Sequence, residues 1–356
     1  MAKFSDVLTI INGRNQKKVE NPNGKYPIYG SGGIMGYADD YLCEPETVII
    51  GRKGSINKPI FVDTPFWNVD TAFGLCANRD VLLPKYLYYF CVAFNFEKLN
   101  TTVTIPSLTK ANLQNVQIPL PSIDEQKEIA ETLTDIDIGK NKCKEIIVQL
   151  DFLVKARFVE MFDLDNCKWG TFGKDTDFVD YRGHTPELSE DGTIRMVNAK
   201  SVGKGFFKYV EEYVTEEVYD SWMHRGFGYP GDVLFVTEGH TFGNTCLIPS
   251  ELDKFALGQR VITIKAHKDN LTNAFLCAYM QTDRFWRDIN VYRTGGTAQG
   301  IRSKDLIKVK LPLAPIEIQE QFASLVAQVD KSKAVVQSIL NKLNTLQAFL
   351  MQKYFG

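Results

Sequence analysis

The strongest constraint on this chain is that part of it is written twice. Pro119-Leu120 and Pro312-Leu313 stand 193 residues apart, and that offset holds without a gap for about sixty residues. Leu113, Val116, Ile123 and Gln126 recur as Leu306, Val309, Ile316 and Gln319. Asp137, Lys140, Ile146, Leu150, Leu153 and Phe162 recur as Asp330, Lys333, Ile339, Leu343, Leu346 and Phe355.

Each copy opens with a short β-like run ending in proline and then enters a helix. Ser122-Ile123-Asp124-Glu125 has the form of a capping box, and Pro315 suits the first helical turn of the second copy. Both copies then alternate in steps of four and three. The first reads Ile129, Leu133, Ile136, Lys140, Cys143, Ile147, Leu150, Val154, Arg157, Met161. The second reads Phe322, Val326, Val329, Lys333, Val336, Leu340, Leu343, Gln347, Leu350, Tyr354. Such alternation is the seam of a coiled coil, and a lysine interrupts both seams at the same place. Shared register predicts that the two helices pack on each other rather than separately on their own domains. Forty helical residues span ~60 Å, with Gly139 as a candidate kink.

The repeat divides the chain into a globular segment 1–121, a helix 122–162, a second globular segment 163–311 and a helix 312–356. The globular segments share little identity but a similar order of signals. Thr47-Val48-Ile49-Ile50 runs into Gly51-Arg52-Lys53-Gly54-Ser55, and Asp232-Val233-Leu234-Phe235-Val236 runs into Thr237-Glu238-Gly239-His240. Helices are predicted over Leu83–Phe94 and Asn273–Trp286, and polar loops follow at Asn100–Thr104 and Arg293–Gly300. Strand and helix signals mix without strict alternation, which predicts α+β domains.

Chemistry of its own is missing. No G-x-x-x-x-G-K-[ST] and no H-E-x-x-H spacing occur, and His184, His224, His240 and His267 stand isolated. Gly226-Phe227-Gly228-Tyr229-Pro230-Gly231 matches a dinucleotide fingerprint in letters only. It contains a proline and precedes a strand, so it reads as a turn. There is no Asn/Asp-Pro-Pro-Tyr/Phe tetrapeptide of the amino-methyltransferase kind, and no carboxylate–lysine cluster of nuclease type. His240, beside Gly239 and Thr241, reads as a solvated loop residue before a catalytic base. Seven scattered cysteines without C-x-x-C indicate reduced thiols, hence a cytoplasmic protein, and no apolar run is long enough for a membrane span.

Charge sharpens the reading. The net charge is −2; residues 1–121 hold twelve Lys/Arg against ten Asp/Glu, and residues 163–314 hold nineteen against twenty-one. A polyanionic partner must therefore be met locally, or with help from other subunits. Arg52-Lys53 and the stretch from Arg293 through Arg302 to Lys304 are free of acids and lie in glycine-rich loops that can approach a phosphate backbone.

Two globular segments, each closed by the same proline–cap–heptad module and lacking catalytic motifs, resemble the specificity subunit of type I restriction–modification systems. The residues that carry the resemblance are Ile118-Pro119-Leu120-Pro121-Ser122-Ile123-Asp124-Glu125-Gln126 and Leu311-Pro312-Leu313-Ala314-Pro315-Ile316-Glu317-Ile318-Gln319. The second copy departs from the family's pattern at Ile318, where Glu is usual. The resemblance implies two target recognition domains, each reading half of a bipartite site in double-stranded DNA. It implies long helices in an antiparallel coiled coil with a pseudo-two-fold axis. It further implies two modification subunits that carry S-adenosylmethionine and methylate adenine, and restriction/translocase subunits using ATP and Mg. This chain would hold no cofactor and do no chemistry. The helices would convert their length into base-pair spacing at ~3.4 Å per pair, and DNA affinity would emerge on assembly.

Groups able to match base edges are expected on the loops. They are Arg52, Lys53, Ser55, Asn57 and Asn68 in the first domain, and His240, Thr241, Asn244, Arg260, Gln299 and Arg302 in the second. For each, the competing reading is an ordinary solvated loop residue. Ile129, Leu133, Ile136, Ile147, Leu150, Phe322, Val326, Val329, Leu340 and Leu343 are expected at the helix–helix seam. Two other function classes compete: a catalytic chain with divergent motifs, and a coiled-coil scaffold without DNA readout.

Overall fold

The computed structural model describes residues 1–99, 107–181, 185–294 and 299–356. They form two compact units, one of residues 1–145 with 337–356 and the other of residues 146–336. These units differ from the boundaries drawn on the sequence, because each globular core takes half of both long helices into itself.

In the first unit β1 (Ala2–Lys3), the single turn α1 (Phe4–Val7) and β2 (Leu8–Asn12) are followed by β3 (Tyr26–Gly30) and β4 (Gly33–Ala38). Then come β5 (Thr47–Gly51), β6 (Ile60–Val62), β7 (Trp67–Asn68), β8 (Ala72–Ala77) and α2 (Pro84–Ala93). The short α3 (Lys110–Gln114) and β9 (Gln117–Ile118) lead into α4 (Ile123–Met161). An antiparallel four-stranded sheet has the order β2-β8-β5-β6, and a three-stranded sheet the order β4-β3-β7 with β3 and β7 parallel. β1 pairs with β9.

The second unit repeats this topology strand for strand. β10 (Lys168–Thr171), α5 (Phe172–Asp175), β11 (Thr176–Asp180), β12 (Ile194–Val197) and β13 (Tyr213–Val214) precede α6 (Glu216–Trp222). β14 (Val233–Val236), β15 (Thr245–Leu247), β16 (Phe255–Leu257) and β17 (Val261–Ala266) complete its larger sheets. α7 (Asn273–Tyr279), α8 (Asp283–Asn290), α9 (Ser303–Leu306) and β18 (Lys310–Leu313) lead into α10 (Ile316–Phe355). The four-stranded order is β11-β17-β14-β15, the three-stranded order β13-β12-β16 with β12 and β16 parallel, and β10 pairs with β18. The helix predicted over Asn273–Trp286 is thus two helices. The first ends at Tyr279, and Thr282 caps the second, its Oγ1 accepting from the Phe285 N–H at 3.3 Å.

The continuous apolar runs at β5 and β14 are strands covered on both faces. Val48 and Ile50 enter one core and Ile49 another. Val233 and Phe235 likewise separate from Leu234 and Val236.

The capping box at Ser122 forms: Glu125 Oε2 accepts from the Ser122 N–H at 2.9 Å, and Ser122 Oγ from the Glu125 N–H at 3.3 Å. The Ser122 hydroxyl, donating to Glu125 Oε2 at 2.7 Å, and then the Ser122 N–H hold the Glu125 carboxyl below the usual carboxylate range. Pro315 instead stands just before its helix, its carbonyl accepting from the N–H groups of Ile318 and Gln319 at 3.2 Å. Gly139 does not interrupt α4. A Cβ there would lie 3.3 Å from Leu343 Cδ1, so the glycine allows the facing helix to approach.

Within each unit the two helix halves run antiparallel. In the first, Gly139 faces Leu343, whereas Ile129 shares a cavity wall with Lys353 and Tyr354. In the second, Asp151 meets Lys333 and Phe158 packs edge-to-face with Phe322, with ring centroids 5.5 Å apart. All twenty positions of the two four–three series are buried or half-buried. The two lysines reach polar partners: Lys140 Nζ donates to Gln347 Oε1 at 2.6 Å, and Lys333 pairs with Asp151.

Two glutamines lock these helices to the cores. Gln126 and Gln319 are fully buried. Gln126 Oε1 accepts from the Leu83 N–H at 2.9 Å, and its Nε2 donates to the carbonyls of Val81 and Pro121 at 2.9 and 3.0 Å. Gln319 does the same with the Thr272 N–H, the Asn270 carbonyl and the Ala314 carbonyl at 2.9, 3.0 and 2.8 Å. Leu83 and Thr272 are the N-cap residues of α2 and α7. An unpaired buried polar group costs about 1–3 kcal/mol. Gln126→Ala and Gln319→Ala should therefore each lower stability by about 2–4 kcal/mol in denaturant unfolding. Unchanged midpoints would show that water satisfies these groups.

Candidate nucleic-acid interface

The loops that follow β5 and β14 occupy equivalent places, and the fold fastens them alike. In the first unit the Arg52 N–H donates to the Thr71 carbonyl at 2.8 Å, and the Arg52 carbonyl accepts from the Leu108 N–H at 2.9 Å. Lys53 forms a β-bridge with Ser107. In the second, the Thr237 N–H donates to the Arg260 carbonyl at 2.8 Å, the Thr237 carbonyl accepts from Ile301 at 2.9 Å, and Glu238 bridges to Gly300. Each loop is thus stitched to the turn before the last strand of its sheet and to a segment more than fifty positions later in sequence. Residues 100–106 and 295–298, which include most of the expected polar loops, lie outside the described residues, as does His184.

Glycine is required at particular points. Gly54 and Gly239 have φ of 76° and 98°, in the left-handed region. A Cβ on Gly243 would lie 2.1 Å from the Trp286 ring, and one on Gly51 would lie 2.6 Å from the Ser55 carbonyl oxygen. The loops are compact turns pressed onto the sheet ends.

The structure sorts the nominated residues. Arg52, Lys53, His240, Arg260, Gln299 and Arg302 are exposed, and Ser55 and Thr241 are half-buried. Arg52 lies over the Phe73 ring at 5.9 Å. Gln299 joins the β14 loop through its backbone, its carbonyl accepting from the Gly239 N–H at 3.0 Å, while its Oε1 accepts from Arg293 at 3.1 Å. Three of the nominated asparagines make hydrogen bonds within their own unit, and one of them is buried. Asn68 is fully buried in β7 with Nδ2 donating to the Ala72 carbonyl at 3.1 Å. Asn57 accepts from the Phe96 N–H at 2.7 Å and donates to Asn95 Oδ1 at 3.1 Å. Asn244 Nδ2 donates to the Val202 carbonyl at 3.0 Å. A short carboxamide can bond to nearby backbone groups, and sequence alone does not distinguish that from an outward-facing one.

Charge differs between the two loops. The bridging position is Lys53 in one and Glu238 in the other, and Glu238 lies 3.2 Å from Arg260. Arg260 itself has φ 70°, a strained setting for a residue that carries a Cβ. Arg302 and Lys308 both pair with Asp305, at 2.8 and 3.0 Å, and Lys308 first, then Arg302, holds that carboxyl below its usual range. Arg302 is thereby anchored to α9, whereas Arg52 and Lys53 present their charge outward. Glu238 escaped the sequence reading because an acid is not sought at an anion-facing loop.

Among the described residues no group of three His, Cys, Asp or Glu is placed to hold a metal ion, and no helix is long and apolar enough to cross a membrane. The seven cysteines are unpaired, and burial pushes the thiols of Cys43 and Cys277 up to about 12. Such thiols are inert packing groups.

Arg52→Ala should weaken DNA binding by about 1–3 kcal/mol and relax the choice of base at one position if it touches a base edge. If it touches a phosphate, binding weakens evenly across sequences and the salt dependence becomes shallower. Competition binding against a substituted duplex series separates the two, and full retention of affinity would remove Arg52 from the interface.

Comparison with known proteins follows the same division of the chain. The family model described as "Type I restriction modification DNA specificity domain" matches residues 1–149 and 176–345. A putative type I restriction enzyme specificity subunit of Haemophilus influenzae is 23% identical over 364 residues, covering 96% of this chain and 89% of that protein. The MjaVIII specificity subunit of Methanocaldococcus jannaschii is 27% identical over 311 residues, covering 80% and 69%. Among solved structures, a type I restriction–modification S subunit from M. genitalium superposes with a TM-score of 0.68 at 18% identity, covering 100% of this chain and 95% of that one. The duplicated module, the paired recognition loops and the family match lead to one conclusion: the chain belongs to the DNA specificity subunits of type I restriction–modification enzymes.

Proposed function

We propose that this chain reads a bipartite DNA target, with one half-site assigned to the β5 loop of the first unit and the other to the β14 loop of the second. The observation that carries this is the equivalence of the two loops in topology and backbone anchoring, combined with their difference in side chains. Two readers of one design and unlike chemistry suit a target with two unlike halves. A scaffold without DNA readout would have no use for loops pinned this closely and then varied. Ser55, Thr241, His240, Arg260 and Gln299 join Arg52, Lys53 and Arg302 as candidates for direct contact.

The reading extends to partners. Ile146 and Leu153 are exposed on the second unit's part of α4, and their repeat counterparts Ile339 and Leu346 are exposed on the first unit's part of α10. Large apolar side chains repeated at matched solvent-facing positions suit two copies of one partner. We assign them to two modification subunits, which would bring S-adenosylmethionine and methylate adenine. Restriction subunits using ATP and Mg would join that assembly in the cytoplasm, leaving this chain to choose the site. The near-neutral charge fits a DNA clamp completed by other subunits.

Leu153→Asp and Leu346→Asp should each release one modification subunit, so that native mass measurement moves from two partners per chain to one. An unchanged mass would assign docking to another surface. The functional reading itself is tested by reconstituting the chain with its modification subunits and mapping methylated adenines. The expected pattern is one interrupted motif, absent when this chain is left out. Methylation without regard to sequence would remove the role.

A further inference from the structure

The two globular units share a second feature, one that the basic loops do not include. The turn from β3 into the first residues of β4 in the first unit, and the longer connection between β12 and β13 in the second, are glycine-turned tips that carry large apolar side chains into solvent. Ile34 and Met35 are 56% and 63% exposed, and Phe206 is 48% exposed. Gly33 and Gly205, beside them, have φ of 122° and 86°. In each tip the end of an apolar side chain rests over a glycine. A Cβ on Gly30 would lie 2.6 Å from Met35 Sδ, and one on Gly203 would lie 2.7 Å from the Phe206 ring. The tip sequences differ, yet both units build a bulky apolar side chain on a bare backbone platform at the same point of the topology.

The tips also neighbour the candidate recognition loops. A Cβ on Gly51, next to Arg52, would lie 3.0 Å from Ser31 Cβ in the β3–β4 turn. In the second unit the Gly205 N–H donates to the Thr245 carbonyl at 2.8 Å, and Asn244 reaches the Val202 carbonyl. Lys208 Nζ lies 5.5 Å from the Phe206 ring centroid, adding a cation beside the apolar group. Exposed apolar bulk is unfavourable in water unless something covers it. A DNA groove offers apolar cover in the thymine methyl groups and sugar edges, next to phosphates for the adjoining cations.

We propose that the two tips are apolar DNA contacts, Ile34 and Met35 entering a groove at one half-site and Phe206 at the other. This rests on the DNA-reading function proposed above. In each unit the basic loop and the apolar tip then divide the work, the loop supplying donors and charge and the tip supplying shape and methyl contact.

The test uses the chain assembled with its modification subunits and the target mapped by methylation. Binding to a duplex series substituted at each position is measured for the parent, for Ile34→Ser with Met35→Ser, and for Phe206→Ser. The expected result is at least a fivefold loss of affinity in each variant, with altered base preference confined to one half-site and a different half for each. Assembly with the modification subunits should be unchanged by gel filtration. Met35→Gln and Phe206→Gln remove apolar character with a smaller loss of bulk, and give the same reading if the serine variants fold poorly. Affinity within twofold of the parent overturns the proposal, as does loss of assembly, which would make the tips protein contacts. A parent complex without sequence-specific binding would instead overturn the DNA-reading function itself.

Discussion

A buried carboxamide holds each half of this protein together. Gln126 and Gln319 each make three hydrogen bonds with no exposed surface, joining a long helix to the start of its domain's own helix and to the strand exit before it. A buried amide with every partner in place is directional in a way that apolar packing is not. It fixes where the long helix leaves the domain, and so where the seam residues and the recognition loops stand within that unit. Hydrophobic contact alone, as between Phe158 and Phe322 or Leu133 and its neighbours, would tolerate a shifted register. The lysines at the shared seam position add to this, since Lys140 and Lys333 must find Gln347 and Asp151.

The same frame tolerates wide variation elsewhere. The two units keep identical strand orders although their sequences have diverged almost beyond alignment. Lys53 in one takes the place of Glu238 in the other, and Met35 is answered by Phe206. Backbone hydrogen bonds and glycine geometry maintain each loop, so side chains are free to differ. A recognition protein needs that separation between an invariant support and replaceable contact groups.

Much of this was legible in the sequence, and the limits have physical causes. The heptad positions, the Ser122 capping box and the strands at Thr47–Gly51 and Val233–Val236 follow from periodicity and local hydrogen bonding, which short stretches encode. The glutamines were visible as a repeated pair, but their role was not, because their partners at Leu83 and Thr272 are over forty residues away. The hydrogen bonds of Asn57 and Asn244 were hidden for the same reason, their partners at Phe96 and Val202 being distant in sequence, whereas Asn68 bonds locally to Ala72. The helix predicted over Asn273–Trp286 failed locally, where Thr282 is a stronger cap than the apolar pattern is a helix signal. The apolar tips were not legible because Ile34 and Phe206 are ordinary apolar positions until the fold leaves them exposed.

Two equivalent, differently furnished loops are each proposed to contact the target DNA. Hydrogen exchange on the assembled methyltransferase, with and without its target DNA, tests this at the backbone itself. Amides of residues 51–55 and 237–243 should both gain protection when the duplex is added, and the exposed face of α10 should not change further. Protection at only one of the loops, or at neither, would contradict the account.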